Sequence, residues 1–191
     1  VTGIFLGASG MDIYFHDTYF VIAHFHYTFF PIAFIGTFAA FTFWFPKMFG
    51  RMMNSTLGKI HFWGTIIPLN TIFIPLFVLG AAGQHRRIYN YNHFPDLSTP
   101  DLQMLRVTAT VSLLVLIAFQ FVFLFNVIYS MFAGEKAGPN PWKSNTLEWT
   151  TPSPPFHGNW HPNDMPTVYR GPYEVSVEGR ELDYWPQNEP T

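Results

Sequence analysis

The chain has 191 residues, 49% hydrophobic and only 12% charged, about half the charged share of an ordinary soluble domain. A net charge of −2 offers no basic surface to nucleic acid, and the lack of cysteine removes disulfide scaffolds, thiolate metal sites and thiol nucleophiles together. Aromatic residues make up 19%, with 22 Phe, which suits a lipid-facing or cofactor-lined helical bundle.

The sequence opens at Val1 in "VTGIFLGASG", with neither an initiator Met nor a signal-peptide n-region. It is expected to be a piece of something longer or one product of a split gene, with residues 1–8 as the last turns of an earlier helix. Three stretches then carry no Asp, Glu, Lys or Arg: residues 18–46, 60–84 and 107–134. Each exceeds the ~20 apolar residues needed to cross a bilayer, so three transmembrane helices are predicted. "FWFP" (43–46) and "HFW" (61–63) put rings at span ends, where headgroup-level aromatics sit. Pro31, Pro68 and Pro75 each remove a backbone donor inside a span. Lipid tolerates this where neighbouring helices reseal the backbone, which points to a larger bundle.

Beyond Gly134 the character changes. Ten of the 16 prolines and eight of the 12 acidic residues fall in 135–191, in turn chemistry with no sustained period. The predicted organisation is all-α and integral to the membrane: a membrane domain over 1–134 and an extended Pro-rich tail over 135–191. That tail would drape over a partner surface, held by its Trp and Tyr side chains. Lys47, Arg51, Lys59, Lys136 and Lys143 lie on one predicted side, and Arg86, Arg87 and Arg106 on the other. Five against three places the first side, and the tail, in the cytoplasm.

Chemistry concentrates in "HDTYFVIAHFHY" (16–27). On an α-helix, His24 and His26 point about 200° apart with ~3 Å of axial offset. They cannot chelate one ion, which wants an i, i+4 pair on one face. Each must serve a different neighbour. Two metal centres flanking one helix would meet that demand; two hydrogen-bonded polar rings, or a proton relay, are the alternative. His16 and Asp17 fall ~12 Å along the axis from His24 if the helix is continuous, near the membrane–water boundary. They could hold a divalent cation with waters, or Asp17 could be a helix N-cap. Arg86 and Arg87 in "GAAGQHRRIYNY" (80–91) face the same boundary. They could bind a shared anionic ligand or snorkel to lipid headgroups.

"HDTYFVIAHFHY", "FWFPKMFGRMMNSTLGKIHFW", "LGAAGQHRRIYNY" and "NTLEW", in this order, closely resemble the C-terminal part of cytochrome c oxidase subunit I. That is the catalytic subunit of the haem–copper oxidases. The resemblance runs from Gly3 to about Trp149. It implies that His24 is the axial ligand of the high-spin haem (haem a3), where oxygen binds opposite copper. His26 is then an axial ligand of the low-spin haem (haem a), and Phe25 lies between the two. It further implies that His16 and Asp17 bind magnesium and that Arg86 and Arg87 bind the haem propionates. The implied activity is reduction of oxygen to water with electrons from cytochrome c, coupled to proton translocation. The implied partners are the remainder of subunit I, a copper-bearing subunit II, subunit III, other oxidase subunits and the bilayer.

The family's copper ligands, second low-spin haem ligand and proton-uptake carboxylates are not among these residues, so the chain alone is not expected to be an oxidase. Pro31 stands where the family commonly has small residues, and a bend below the haems is expected. His85 replaces a common proline and adds a titratable imidazole beside the propionates, where it is expected to tune proton exit. The long tail favours a bacterial plasma membrane over a mitochondrial one. A quinol oxidase of the same superfamily is the nearest alternative, but that branch usually lacks counterparts of Asp17 and Tyr27. A histidine-relay transporter and a non-catalytic scaffold are the alternatives from other classes.

Overall fold

The computed structural model describes residues 1–175, 178–179 and 183–190. Its helices, in chain order, are α1 (Thr2–Gly7), α2 (Ser9–Phe15), α3 (Tyr19–Phe30), α4 (Gly36–Phe49), α5 (Ser55–Ala81) and α6 (Pro100–Ala133), with a π-helical turn, Pro31–Ile35, joining α3 to α4. Among the described residues there is no strand, only two isolated antiparallel bridges, Thr18 with His85 and Arg51 with Lys136. Tyr19–Phe49, Ser55–Ala81 and Pro100–Ala133 are long and apolar enough to cross a membrane, with mean hydropathies of 1.6, 1.8 and 2.6. The three predicted spans are therefore present, each with somewhat different ends.

Local chemistry explains the boundaries. Asp17 has a φ of +55°, which ends the N-terminal helical segment and starts a new one. Thr18 caps α3: its hydroxyl accepts the Phe20 N–H at 3.2 Å. The capping role considered for Asp17 thus belongs to the next residue. The break also means that His16 is not on the histidine helix, so the 12 Å offset for a continuous helix does not apply. Pro31 has no N–H to give, and the backbone absorbs it in the π-helical turn, closed by Gly36 N–H to the Pro31 carbonyl. The second span tolerates Pro68 and Pro75 within one continuous helix. Extra donors lie in the turns between them, Asn70 Nδ2 to the Ile66 carbonyl at 2.8 Å and Thr71 Oγ1 to the Pro68 carbonyl at 3.1 Å. Gly83, at φ +86°, stops α5. Its N–H bonds the Gly80 carbonyl at 3.0 Å and Gln84 N–H reaches the Leu79 carbonyl at 3.0 Å, the paired closure of a Schellman end.

The chain forms two compact units. The first comprises Val1–Phe38 and Ser55–Phe125. Its core is Leu69, Ile72, Phe73 and Leu116, with Tyr27, Phe30, Ile35 and Leu76 packed around it. Lipid tails are as apolar as leucine, so hydrophobic transfer does not hold such helices together; close packing and polar bonds must. Both are present. A side chain on Gly80 would lie 2.0 Å from the Phe20 nitrogen, and one on Gly64 would lie 2.1 Å from Phe119 Cδ1. His61, buried, bonds Gln120 Oε1 through Nε2 at 3.1 Å, and Gln120 Nε2 donates to Thr65 Oγ1 at 3.2 Å. Large apolar side chains on α6, including Val111, Leu114, Ile117 and Phe121, remain exposed, as helices that meet lipid or further helices require.

The second unit comprises Ala39–Asn54 and Asn126–Thr191. Buried Lys47 donates to the carbonyls of Thr151 at 2.7 Å and Pro139 at 3.0 Å, and its ammonium lies 5.1 Å from the Trp149 ring centre. Trp142 Nε1 donates to the Phe43 carbonyl at 2.8 Å, and Trp149 is fully buried with its ring edge-on to Phe43. The only helical turn in the described part of the tail is Leu147–Trp149. Asn145 anchors the distal tail, donating to the Asp183 carbonyl and accepting from Trp185 N–H.

Candidate functional site

The site grows from the first turns of α3. Tyr19 N–H donates to the Gln84 carbonyl and Arg86 N–H to the Asp17 carbonyl, both at 2.9 Å. This isolated antiparallel bridge brings residues 17–19 beside 84–86. His16, Asp17, His85, Arg86 and Arg87 therefore share one end of the first unit, as the sequence predicted from span direction.

His24 and His26 address different neighbours. His24 Nδ1 lies 2.8 Å from the Thr2 hydroxyl on α1, whereas the His26 ring stacks on Phe73 of α5 at 5.6 Å. His26 Nδ1 is 2.9 Å from the Ile22 carbonyl. A carbonyl can only accept, so in the neutral ring Nδ1 carries the proton and Nε2 keeps its lone pair. Both rings have Nδ1 engaged and Nε2 without a hydrogen bond among the described residues. Each ring can thus offer one nitrogen to an iron porphyrin while the far nitrogen holds its orientation, any further ligand coming from outside this chain. The residues fit the group. Phe25, which separates them in the sequence, is 43% exposed, its ring 4.2 Å from that of His26.

The other predicted ligands form a charged cluster. Asp17 pairs one carboxylate oxygen with Arg86 Nη2, and its other oxygen lies 3.6 Å from His16 Nε2. Asp12 approaches His16 Nδ1 at 3.4 Å. Among the described residues no three His, Cys, Asp or Glu side chains converge. The pair thus offers magnesium one free carboxylate oxygen and one imidazole, and waters or other groups would have to complete the shell. Arg86 is half-buried and committed in part to Asp17; Arg87 is exposed, with a φ of +66°. His85 is exposed, held by its backbone against Thr18.

Sequence reasoning missed the groups that hold this site. Tyr27 donates to Asn70 Oδ1, locking α3 onto α5 beside His26. Tyr19 and Tyr91 hydroxyls meet at 3.0 Å. Arg106 covers the Tyr91 ring at 4.3 Å and donates to Gln84 Oε1 at 2.9 Å and to the Leu97 carbonyl at 2.6 Å, fixing the loop that carries the arginines. Partial burial, then the Tyr19 hydrogen bond, push the Tyr91 phenol up to about 12. No fixed spacing in the sequence links these partners.

Residues 1–115 match the family described as Cytochrome C and Quinol oxidase polypeptide I. The chain is 42% identical over all 191 residues to the alternative cytochrome c oxidase subunit 1 of Bradyrhizobium diazoefficiens, covering 32% of that protein. It is 40% identical over 183 residues to cytochrome c oxidase subunit 1 of Synechocystis, and 41% over 182 residues to that of Thermostichus vulcanus. These alignments take in 96% and 95% of this chain. The chain spans about a third of the length of the relatives it matches.

Proposed function

We propose, for a chain that belongs to the Cytochrome C and Quinol oxidase polypeptide I family, that it supplies the C-terminal part of the catalytic subunit of a terminal oxidase. The reaction is reduction of oxygen to water with electrons from cytochrome c, coupled to proton translocation across a bacterial plasma membrane. The observation that carries this reading is the pair His24 and His26, turned to different helices with Nδ1 engaged and Nε2 open in both.

His24 would hold the high-spin haem, of type a3, and His26 the low-spin haem, of type a. When bound, the haems would supply electron transfer and, together with copper held by residues outside this chain, the reduction of oxygen. This chain's part is to orient and to balance charge. The Ile22 carbonyl fixes the His26 tautomer, and Phe73 sets the plane of that ring. Phe25, between the two ligands in the chain, sets its ring 4.2 Å from that of His26. Arg86 and Arg87 supply positive charge for propionates, Arg86 while shared with Asp17. His16 and Asp17 would hold magnesium at the same end, and His85 would tune proton release there. Subunit II with its copper, subunit III and the remainder of subunit I are the partners this role requires. Asp17 and Tyr27, and the names of the relatives, favour cytochrome c over quinol as donor.

The test is the assembled complex with His24→Ala or His26→Ala. Reduced-minus-oxidised absorption should lose the high-spin contribution in the first and the low-spin contribution in the second. Both bands unchanged would end the reading. Oxygen uptake driven by quinol and not by reduced cytochrome c would move the chain to the quinol branch.

A further inference from the structure

We propose that α1 is the positioning element of His24, with Thr2 holding the ring through Nδ1 and Gly3 making room for it. This rests on the reading of His24 as a haem ligand. The two histidines are oriented by different means. His26 bonds the carbonyl four residues earlier on its own helix, so its orientation travels with α3. His24 makes no such bond; its Nδ1 partner is the hydroxyl of Thr2, 22 residues away on another helix, at 2.8 Å. A methyl group on Gly3 would lie 3.2 Å from His24 Cε1 and 3.6 Å from Nε2. The ring therefore rests against the α1 backbone at a point where any side chain would push it, and push the edge that bears the open nitrogen.

For Nε2 of a neutral imidazole to offer a lone pair, Nδ1 must carry the proton and Thr2 must accept it. Accepting that bond raises the basicity of the ring and fixes its rotation about the metal axis. A hydroxyl is a modest acceptor, weaker than a carboxylate and removable without a change of shape. Thr2 is thus a positioning residue, acting through its bond to His24.

The experiment uses the complete oxidase carrying Thr2→Val, Thr2→Ser or Gly3→Ala, with His24→Ala alongside. The readout is the iron–histidine stretching band of the reduced high-spin haem in resonance Raman spectra, with haem content measured separately by absorption. Thr2→Val should move that band to lower frequency at unchanged haem content, Thr2→Ser should restore it, and Gly3→Ala should broaden or shift it. An identical band in Thr2→Val and the parent overturns the proposal. If His24→Ala keeps the band, the assignment of His24 itself has failed, which is a different result. Should the valine variant not accumulate, Gly3→Ala against Thr2→Ser decides, because an unshifted band in Gly3→Ala contradicts the cradle equally.

Discussion

Gly80→Ala tests the seam on which the whole site hangs. The added carbon would lie 2.0 Å from the Phe20 nitrogen, 2.6 Å from its Cα and 2.7 Å from its Cβ. Ordinary contact begins near 3.4 Å, so α3 and α5 must part by about 1.4 Å where they cross. Helix propensity alone argues the other way, since Ala in place of Gly favours a helix by ~1 kcal/mol. Overpacking usually costs ~1–3 kcal/mol, and that figure assumes side chains that can move aside. Here the two nearest atoms struck are backbone, fixed by the Thr18 cap and by the Tyr19 N–H on the Gln84 carbonyl. Overpacking should win. A net loss of even ~1–2 kcal/mol lowers the population of the closed seam roughly 5–30-fold. His26 and Tyr27 lie about 9 and 10.5 Å further along α3, so the Phe73 stack and the Asn70 bond loosen with it. In the purified complex, Gly80→Ala should lower the thermal midpoint and the low-spin haem content. Gly138→Ala, where the added carbon meets nothing within 4 Å, should do neither. A Gly80→Ala complex with normal haem content and an unchanged midpoint would refute the close-approach argument.

Other outcomes rest on single contacts. Gln120→Leu strips His61 of its partner and should cost ~1–3 kcal/mol, read as a lower thermal midpoint, whereas His61→Leu/Gln120→Leu should recover part of it. Tyr27→Phe should cost ~1 kcal/mol and broaden the low-spin haem band, as its hydroxyl no longer pins α3 to Asn70. Lys47→Met leaves the Thr151 and Pro139 carbonyls without their donor, and limited proteolysis should cut residues 139–155 sooner in the variant. The Tyr91 phenol is raised from 10.0 to about 12, so its stabilising contribution is complete below pH 10 and is lost as pH rises through about 12. The stability gap between the parent and Tyr91→Phe should therefore be constant up to pH 10 and close above it.

Sequence alone determined the class of this protein. Charge-free length fixed three spans, because carrying a charge into hydrocarbon is costly wherever the helix ends up. The two-residue spacing of His24 and His26 fixed that they serve different neighbours, because helical rotation is a local property. Tertiary structure decided everything that depends on who the neighbours are. Asp17 takes up left-handed backbone and the cap passes to Thr18, because residues 17–19 are stitched to 84–86 by bonds no local pattern encodes. Pro31 produced a π-helical turn within a continuous span, a choice among ways of losing one donor that its surroundings settle. Thr2, Asn70 and Arg106 read as ordinary residues in the sequence. They gain their roles only because helices far apart in the chain bring a hydroxyl, an amide and a guanidinium to within 3 Å of groups that need them.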